Sequence, residues 1–251
     1  MKAVIVAAGE GNRLRNISPV KPLAMLAGKT LAERALWCCA HADTSGAVLI
    51  LGYQAETIIE HLDQVQQRLP ISLEWIVNDD WRDGNGTSVR AAKTAVYGDD
   101  FILLMCDHVV DPAIVRELVS VHRPADVDLI LGVDRRLDNP LVDLADVTRV
   151  QERNGRILSI GKSMATYNCF DTGVFRMSSR IFAIIGKLRA QRSSVGISEI
   201  VRIVASKGRA RAYDIGDRFW IDVDDDRMHA LAEATILSRS VGAHLCDPAF
   251  T

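Results

Sequence analysis

The sequence predicts an α/β fold built on a doubly wound, mostly parallel sheet that carries a β-hairpin insertion. Three observations carry this expectation. Short β-favouring runs at residues 2–6, 47–51, 73–77, 101–105 and 127–133 alternate with longer stretches whose apolar residues recur at helical spacing. The first run passes through Ala7 and Ala8 directly into a glycine-containing basic turn. Beyond about residue 134 the pattern becomes that of a hairpin. Regular alternation requires right-handed crossovers, so the strands lie parallel with helices on both faces. Ligands then belong at the carboxyl ends of those strands.

The first turn reads Gly9-Glu10-Gly11-Asn12-Arg13-Leu14, and Lys21-Pro22 follows. From Gly11 to Lys29 there are four cations, Arg13, Arg15, Lys21 and Lys29, and no carboxylate. A polyanion such as a triphosphate needs that local excess, because it takes fork-shaped and point donors together with free backbone N–H groups. Two better-known glycine loops are disfavoured. A dinucleotide fingerprint needs a third small residue where Leu14 stands, and a P-loop ending at Gly28-Lys29-Thr30 needs a glycine where Leu23 stands.

Residues 31–41 and 55–69 read as amphipathic helices, and 88–96 and 113–121 as shorter ones. Before the third of these lies Asp83-Gly84-Asn85-Gly86-Thr87-Ser88, whose glycines let backbone approach a planar base closely while Thr87 or Ser88 caps the helix. The run 101–105 delivers Cys106-Asp107-His108 to the sheet edge. Residues 146–162 form the hairpin, turning at Asn154-Gly155, and such an insertion can act as a lid or flap. A further strand is expected at 170–177 and helices near 180–189, 197–205 and 225–238, the last with acidic residues in its first turn. Just before it stands Trp220-Ile221-Asp222-Val223-Asp224-Asp225-Asp226.

Composition limits the rest. With 251 residues and 48% hydrophobic content the chain buries a sizeable core and reads as one domain over 1–251. A net charge of −2, with the cations local, gives no drive toward nucleic acid. The longest apolar stretches fall far short of the roughly 20 residues needed to span a bilayer, and no secretion leader precedes Lys2. Five cysteines, Cys38, Cys39, Cys106, Cys169 and Cys246, contain no CxxC pair and read as reduced thiols of a cytoplasmic protein.

The opening strand and turn, Ala7-Ala8-Gly9-Glu10-Gly11-Asn12-Arg13-Leu14 with Lys21-Pro22, resemble the AAGxGxRL and KP pattern of nucleotidyltransferases that activate sugar or polyol phosphates. Asn12 replaces the usual Ser or Thr. The segments GNGTSV from Gly84, MCDHVV from Met105, CFDTGVF from Cys169 and WIDVDDD from Trp220 are most similar to CTP-dependent myo-inositol-1-phosphate cytidylyltransferases. The resemblance implies a Rossmann-like nucleotidyltransferase fold, with residues 1–133 binding nucleotide and 134–240 binding acceptor. It implies that CTP and a phosphorylated polyol give a CDP-alcohol and pyrophosphate, with Mg²⁺ as cofactor. A sugar 1-phosphate, phosphocholine or a phosphonate is the alternative acceptor, and another nucleoside triphosphate the alternative donor.

The resemblance also assigns residues. Ala7, Ala8, Gly9, Gly11, Arg13, Asp83, Gly84, Gly86 and Thr87 would hold the nucleotide; Arg13, Lys21 and Asp107 would be catalytic. Asp107 with Asp222 or Asp224 would hold the metal, a choice that alternation along an extended segment leaves open. Asp171, Thr172, Gly173 and Glu199 would meet the acceptor. By position alone, Lys162 after the hairpin would meet its phosphate and His108 beside Asp107 would donate to it, a solvated surface lysine and a histidine without a ligand being the alternatives. Part of that family carries a membrane-embedded phosphotransferase domain after the catalytic unit; this chain ends without one, so that activity would need a separate protein. The reading leaves room for a homodimer. A non-catalytic nucleotide sensor keeping the fold, and an NAD-dependent dehydrogenase, are the competing classes; the first would be expected to have lost a metal carboxylate or the loop arginine, and the second lacks its third glycine.

Overall fold

The computed structural model describes residues 1–242, with side chains to residue 238, so Cys246 lies outside the described residues. In chain order the strands are β1 (Ala3–Ala7), β2 (Met25–Leu26), β3 (Lys29–Thr30), β4 (Ala47–Leu51), β5 (Leu73–Val77), β6 (Phe101–Met105), β7 (His108–Val110), β8 (Leu129–Asp134), β9 (Arg149–Arg153), β10 (Arg156–Gly161), β11 (Cys169–Met177), β12 (Ala210–Asp214) and β13 (Trp220–Asp222). The helices are α1 (Leu31–Ala40), α2 (Ala55–Val65), α3 (Asn85–Ala91), α4 (Lys93–Val96), α5 (Pro112–Ser120), α6 (Ile181–Arg189), α7 (Ile197–Ser206) and α8 (Asp226–Gly242).

The principal sheet has nine strands in the order β5-β4-β1-β6-β11-β8-β12-β10-β9. The first four run parallel, as do β8 and β12, whereas β11 is antiparallel to both β6 and β8. Alternating residues of the central strands feed two cores. Ile5, Leu49 and Leu104 pack with Leu36, Ile58 and Ile114 on one face, while Val4, Val48 and Leu103 pack with Val89, Ile185 and Ile200 on the other. Burial on both faces explains why β1 and β4 read as continuous apolar runs.

Local signals set several element ends. Thr30 and Glu33 form a capping box at α1, and Asp111 caps α5 ahead of Pro112. Asp225 accepts from the Met228 N–H at 2.8 Å and so starts α8. The hairpin turns at Asn154 and Gly155, both with positive φ. Its strands are not a free flap, however: β9 pairs with β10 and with the start of β11, and β10 reaches β12, so the sheet curls back on itself. Strand β12 was absent from the sequence reading. The expected helix at 88–96 begins earlier and is broken after Ala91.

Candidate active site

The basic turn is folded onto its own lysine. Gly11 has φ +65°, and a Cβ there would lie 2.3 Å from the Cβ of Lys21, so the turn closes only with glycine at this point. That contact helps to hold Lys21 at 9% exposure. Ala7, Ala8, Gly9, Gly11, Arg13 and Lys21 together line one wall of a cleft of about 380 Å³ whose floor is Met105, Cys106 and Asp107.

Two chain segments remote in sequence complete the site through a small antiparallel ladder. β13 pairs with β7 so that Asp222 stands opposite His108, and the Val223 N–H donates to the Asp107 carbonyl at 2.9 Å. Asp107, Asp222 and Asp224 thereby converge. Lys21 Nζ donates to Asp107 Oδ2 at 2.6 Å and also to Asp224. Arg13 Nη2 donates to Asp224 at 2.5 Å and to Asp146 at 2.8 Å.

One lysine shared by two carboxylates leaves them unequal. Burial works against charge on Lys21, yet Asp107, Asp224 and Asp222 outweigh it and raise its pKa. Burial likewise opposes the Asp107 carboxylate, but Lys21 and then His108 hold it below the ordinary range. For Asp224, burial together with the charges of Asp107 and Asp222 wins over Lys21, and its pKa is raised. Asp224 has both oxygens paired, one to Lys21 and one to Arg13, whereas Asp107 has only Oδ2 paired, to Lys21.

A second cleft, about 220 Å³, adjoins the first and shares Asn85, Met105, Asp107 and Asp224 with it. Its lining includes His108, Lys162, Asp171, Gly173, Asp222 and the turn residues Asp143 and Asp146. His108 Nδ1 lies 2.8 Å from the Thr172 carbonyl, and its Nε2 faces Asp222 at 3.5 Å and Asp107 at 3.9 Å. Burial disfavours charge on this imidazole, but Asp222, Asp107 and Asp171 push it up to about 10. Because its partner is a carbonyl oxygen, Nδ1 is the donor to Thr172. Burial pushes the Asp171 carboxyl up to about 6, against the Gly173 N–H and His108.

Several predicted site residues stand elsewhere. Glu199 pairs with Arg192, and its neighbours Ile197 and Ser198 line the cleft. The Thr172 side chain is fully buried and donates to the Gly132 carbonyl at 2.8 Å, so it offers the cleft only its backbone contact to His108. In the second glycine loop, Asp83 pairs with Arg189 at 2.9 Å, and Gly84 and Gly86 back onto Val195. Thr87 donates to the Gly84 carbonyl at 2.7 Å instead of capping α3, for which Gly84 is the N-cap. These four shape the loop from behind, and Trp81, Asn85 and Ser88 line the cleft. Sequence reasoning missed Asp146, which only its position at the start of the hairpin could have flagged.

The chemistry of the donor set fits a hard divalent cation. Ligand atoms of Asp107, His108 and Asp222, and of Asp146, Asp222 and Asp224, lie within 4.8 Å of one another in two groups. Asp107 Oδ1 and Asp222 Oδ1 are buried without a hydrogen-bond partner. Buried carboxylate oxygens without a partner are costly unless a cation or water meets them, and Mg²⁺ takes one or two carboxylates with phosphate oxygens and water. The Lys21 ammonium already bridges Asp107 and Asp224.

A basic turn at the end of β1, an aspartate at the end of β6 and a convergent acidic segment define a nucleotidyltransferase. The chain belongs to the MobA-like NTP transferase domain family, to which residues 3–159 match. A bifunctional IPC transferase and DIPP synthase of Rubrobacter xylanophilus is 32% identical over 240 residues, covering 94% of this chain and 52% of that protein. The protein of the same description from Archaeoglobus fulgidus is 29% identical, covering 96% of this chain and 45% of the relative. The chain thus spans about half the length of these curated relatives. Among solved structures, the inositol-1-phosphate CTP transferase from T. maritima superposes with a TM-score of 0.78 at 23% identity, covering 92% of this chain and 94% of that one. A glucose-1-phosphate thymidylyltransferase structure from Bacillus anthracis, described as putative, gives 0.79 at 18% identity over 94% of each chain. These structural likenesses show a shared fold. Among the described residues no helix is long and apolar enough to cross a membrane.

Proposed function

We propose that this chain condenses CTP with a phosphorylated polyol of the inositol 1-phosphate kind, releasing pyrophosphate and forming a CDP-alcohol. The observation that carries the reading is the meeting of Asp107 and Asp224 on Lys21 and of Asp224 on Arg13, with Asp222 close by against His108, where two adjoining clefts meet. The larger cleft takes the nucleotide and the smaller the acceptor. The descriptions of the relatives and of the T. maritima structure support the acceptor class and CTP.

An acceptor phosphomonoester already carries the nucleophilic oxygen as an anion, so no protein base is required. Its attack on the α-phosphorus is favoured by alignment and by neutralising charge on the departing pyrophosphate. Arg13 binds the leaving phosphates, and Lys21 the reacting one. Lys162 meets the acceptor phosphate, while His108 and Asp171 orient its hydroxyls. Mg²⁺, held by Asp107 with Asp222 or Asp224, supplies further charge neutralisation at the α-phosphate when bound. Met105, Phe175 and Trp220 give the acceptor cleft apolar walls that limit water.

The test is pyrophosphate release by the purified chain with Mg²⁺, each common nucleoside triphosphate, and a panel of phosphorylated alcohols. The expected outcome is turnover with CTP and a polyol phosphate. Turnover with a sugar 1-phosphate, phosphocholine or a phosphonate instead corrects the acceptor but keeps the chemistry. No release with any pair sinks the reading in favour of a nucleotide sensor.

A further inference from the structure

Asp146 joins the two clefts. Its Oδ2 accepts from Arg13 Nη2 at 2.8 Å, and its Oδ1 accepts from Lys162 Nζ at 2.5 Å. One carboxylate therefore sits between a cation on the nucleotide turn and a cation beyond the hairpin. Both cations are more than half exposed, at 53% and 56%, whereas Asp146 is at 24%. Long exposed side chains keep most of their rotamer freedom unless something holds them.

The backbone that carries Asp146 is held in a hydrogen-bonded turn. The Asp146 and Val147 N–H groups donate to the Asp143 carbonyl at 3.1 and 2.8 Å, and Asp143 Oδ1 accepts from the Ala145 N–H at 3.0 Å. Asp143 in turn pairs with Arg227 on α8 at 2.6 Å. Arg13 commits only Nη2 to its two carboxylates, which leaves Nη1 and Nε to address a ligand.

We propose that Asp146 is a positioning residue that sets the direction and spacing of Arg13 and Lys162, so that the triphosphate and the acceptor phosphate are presented to each other across one fixed point. The inference rests on the nucleotidyl-transfer reading. It differs from simple electrostatics in sign. Removing a carboxylate from a polyanion site strengthens binding if only charge matters, whereas loss of a positioning group weakens it. Asn at this position keeps one acceptor oxygen and turns an N–H donor toward a cation.

The experiment compares wild type, Asp146→Asn and Asp146→Glu by calorimetric titration with inorganic tripolyphosphate, steady-state kinetics and thermal unfolding. Asp146→Asn is expected to weaken tripolyphosphate binding about tenfold and to lower kcat on the order of 100-fold. Asp146→Glu keeps the charge and both oxygens on a longer arm; binding is expected to persist while kcat falls about tenfold. Unchanged or tighter tripolyphosphate binding in the Asn variant overturns the inference, as does an unchanged kcat in the Glu variant. A shifted Mg²⁺ requirement with unaltered tripolyphosphate binding would make Asp146 a metal ligand and also overturn it. Should wild type bind tripolyphosphate yet turn over no substrate pair, the reaction reading fails and the binding comparison alone decides the role of Asp146. A wild-type chain that does not bind tripolyphosphate overturns the inference outright.

Discussion

Lys21 Nζ and Asp107 Oδ2 lie 2.6 Å apart, joining the basic turn after β1 to the end of the neighbouring strand β6. The two strands pair in parallel from Ala3 opposite Ile102 to Val6 opposite Met105, so their carboxyl ends, and the groups just beyond them, must be neighbours. Asp224 joins the same lysine from the far end of the chain.

Asp107→Asn removes a negative charge at constant size. Turnover is expected to fall on the order of 100-fold or more, with thermal unfolding little changed because Lys21 keeps Asp224 as a partner. Steady-state kinetics across a Mg²⁺ series check this. Full activity at limiting Mg²⁺ would sink the assigned role.

Arg13→Ala is expected to weaken triphosphate binding about 10- to 100-fold and acceptor binding much less, since Arg13 lines only the larger cleft. Titrating CTP and the acceptor separately tests it. Equal losses for both would mean that the turn does not serve the nucleotide.

Gly173 has φ +75°, and a Cβ there would lie 2.3 Å from His108 Nδ1. Gly173→Ala must therefore displace the imidazole from the Thr172 carbonyl. We expect a cost of about 1–3 kcal/mol in stability and a rise in the acceptor KM with the CTP KM nearly unmoved. An unchanged acceptor KM would remove His108 from the acceptor cleft.

Asp134 is buried, with Asn139 and Trp220 Nε1 donating to Oδ2 at 2.8 and 2.7 Å and Arg136 paired at 2.8 Å. Burial opposes its charge, but Arg136, Trp220 and Asn139 outweigh it and lower its pKa. A depressed carboxylate stabilises above its unfolded pKa near ~3.9, and that stability is lost as pH falls through the folded value. Asp134→Asn is thus expected to cost about 2–3 kcal/mol at pH 7 and to flatten the acid limb of the stability profile. Urea unfolding from pH 7 down to pH 3 measures it, and parallel profiles for variant and wild type would refute the assignment.

Much of this was legible in the chain. The strand and turn through Arg13, the aspartate ending β6, and the hairpin turn at Asn154-Gly155 are local signals, because each follows from residue type and immediate neighbours. That Glu199 pairs with Arg192 of the preceding loop while Ile197 and Ser198 line the cleft was not legible, because packing sets which of these adjacent residues faces it. Trp81, Asn85 and Ser88 displaced their loop neighbours for the same reason: Val195, from a distant segment, fills the space behind Gly84 and Gly86.

By itself, then, the amino-acid order determined the alternating architecture, the cationic turn and the set of carboxylates available for chemistry, since periodicity and turn propensity are properties of short segments. Only the tertiary structure decided that Asp222 stands opposite His108, that β9 closes onto β11, and that Asp146 spans Arg13 and Lys162. Those juxtapositions depend on strand register and on the curl of the sheet, which are fixed by the collective burial of two cores and are encoded in no single stretch of residues.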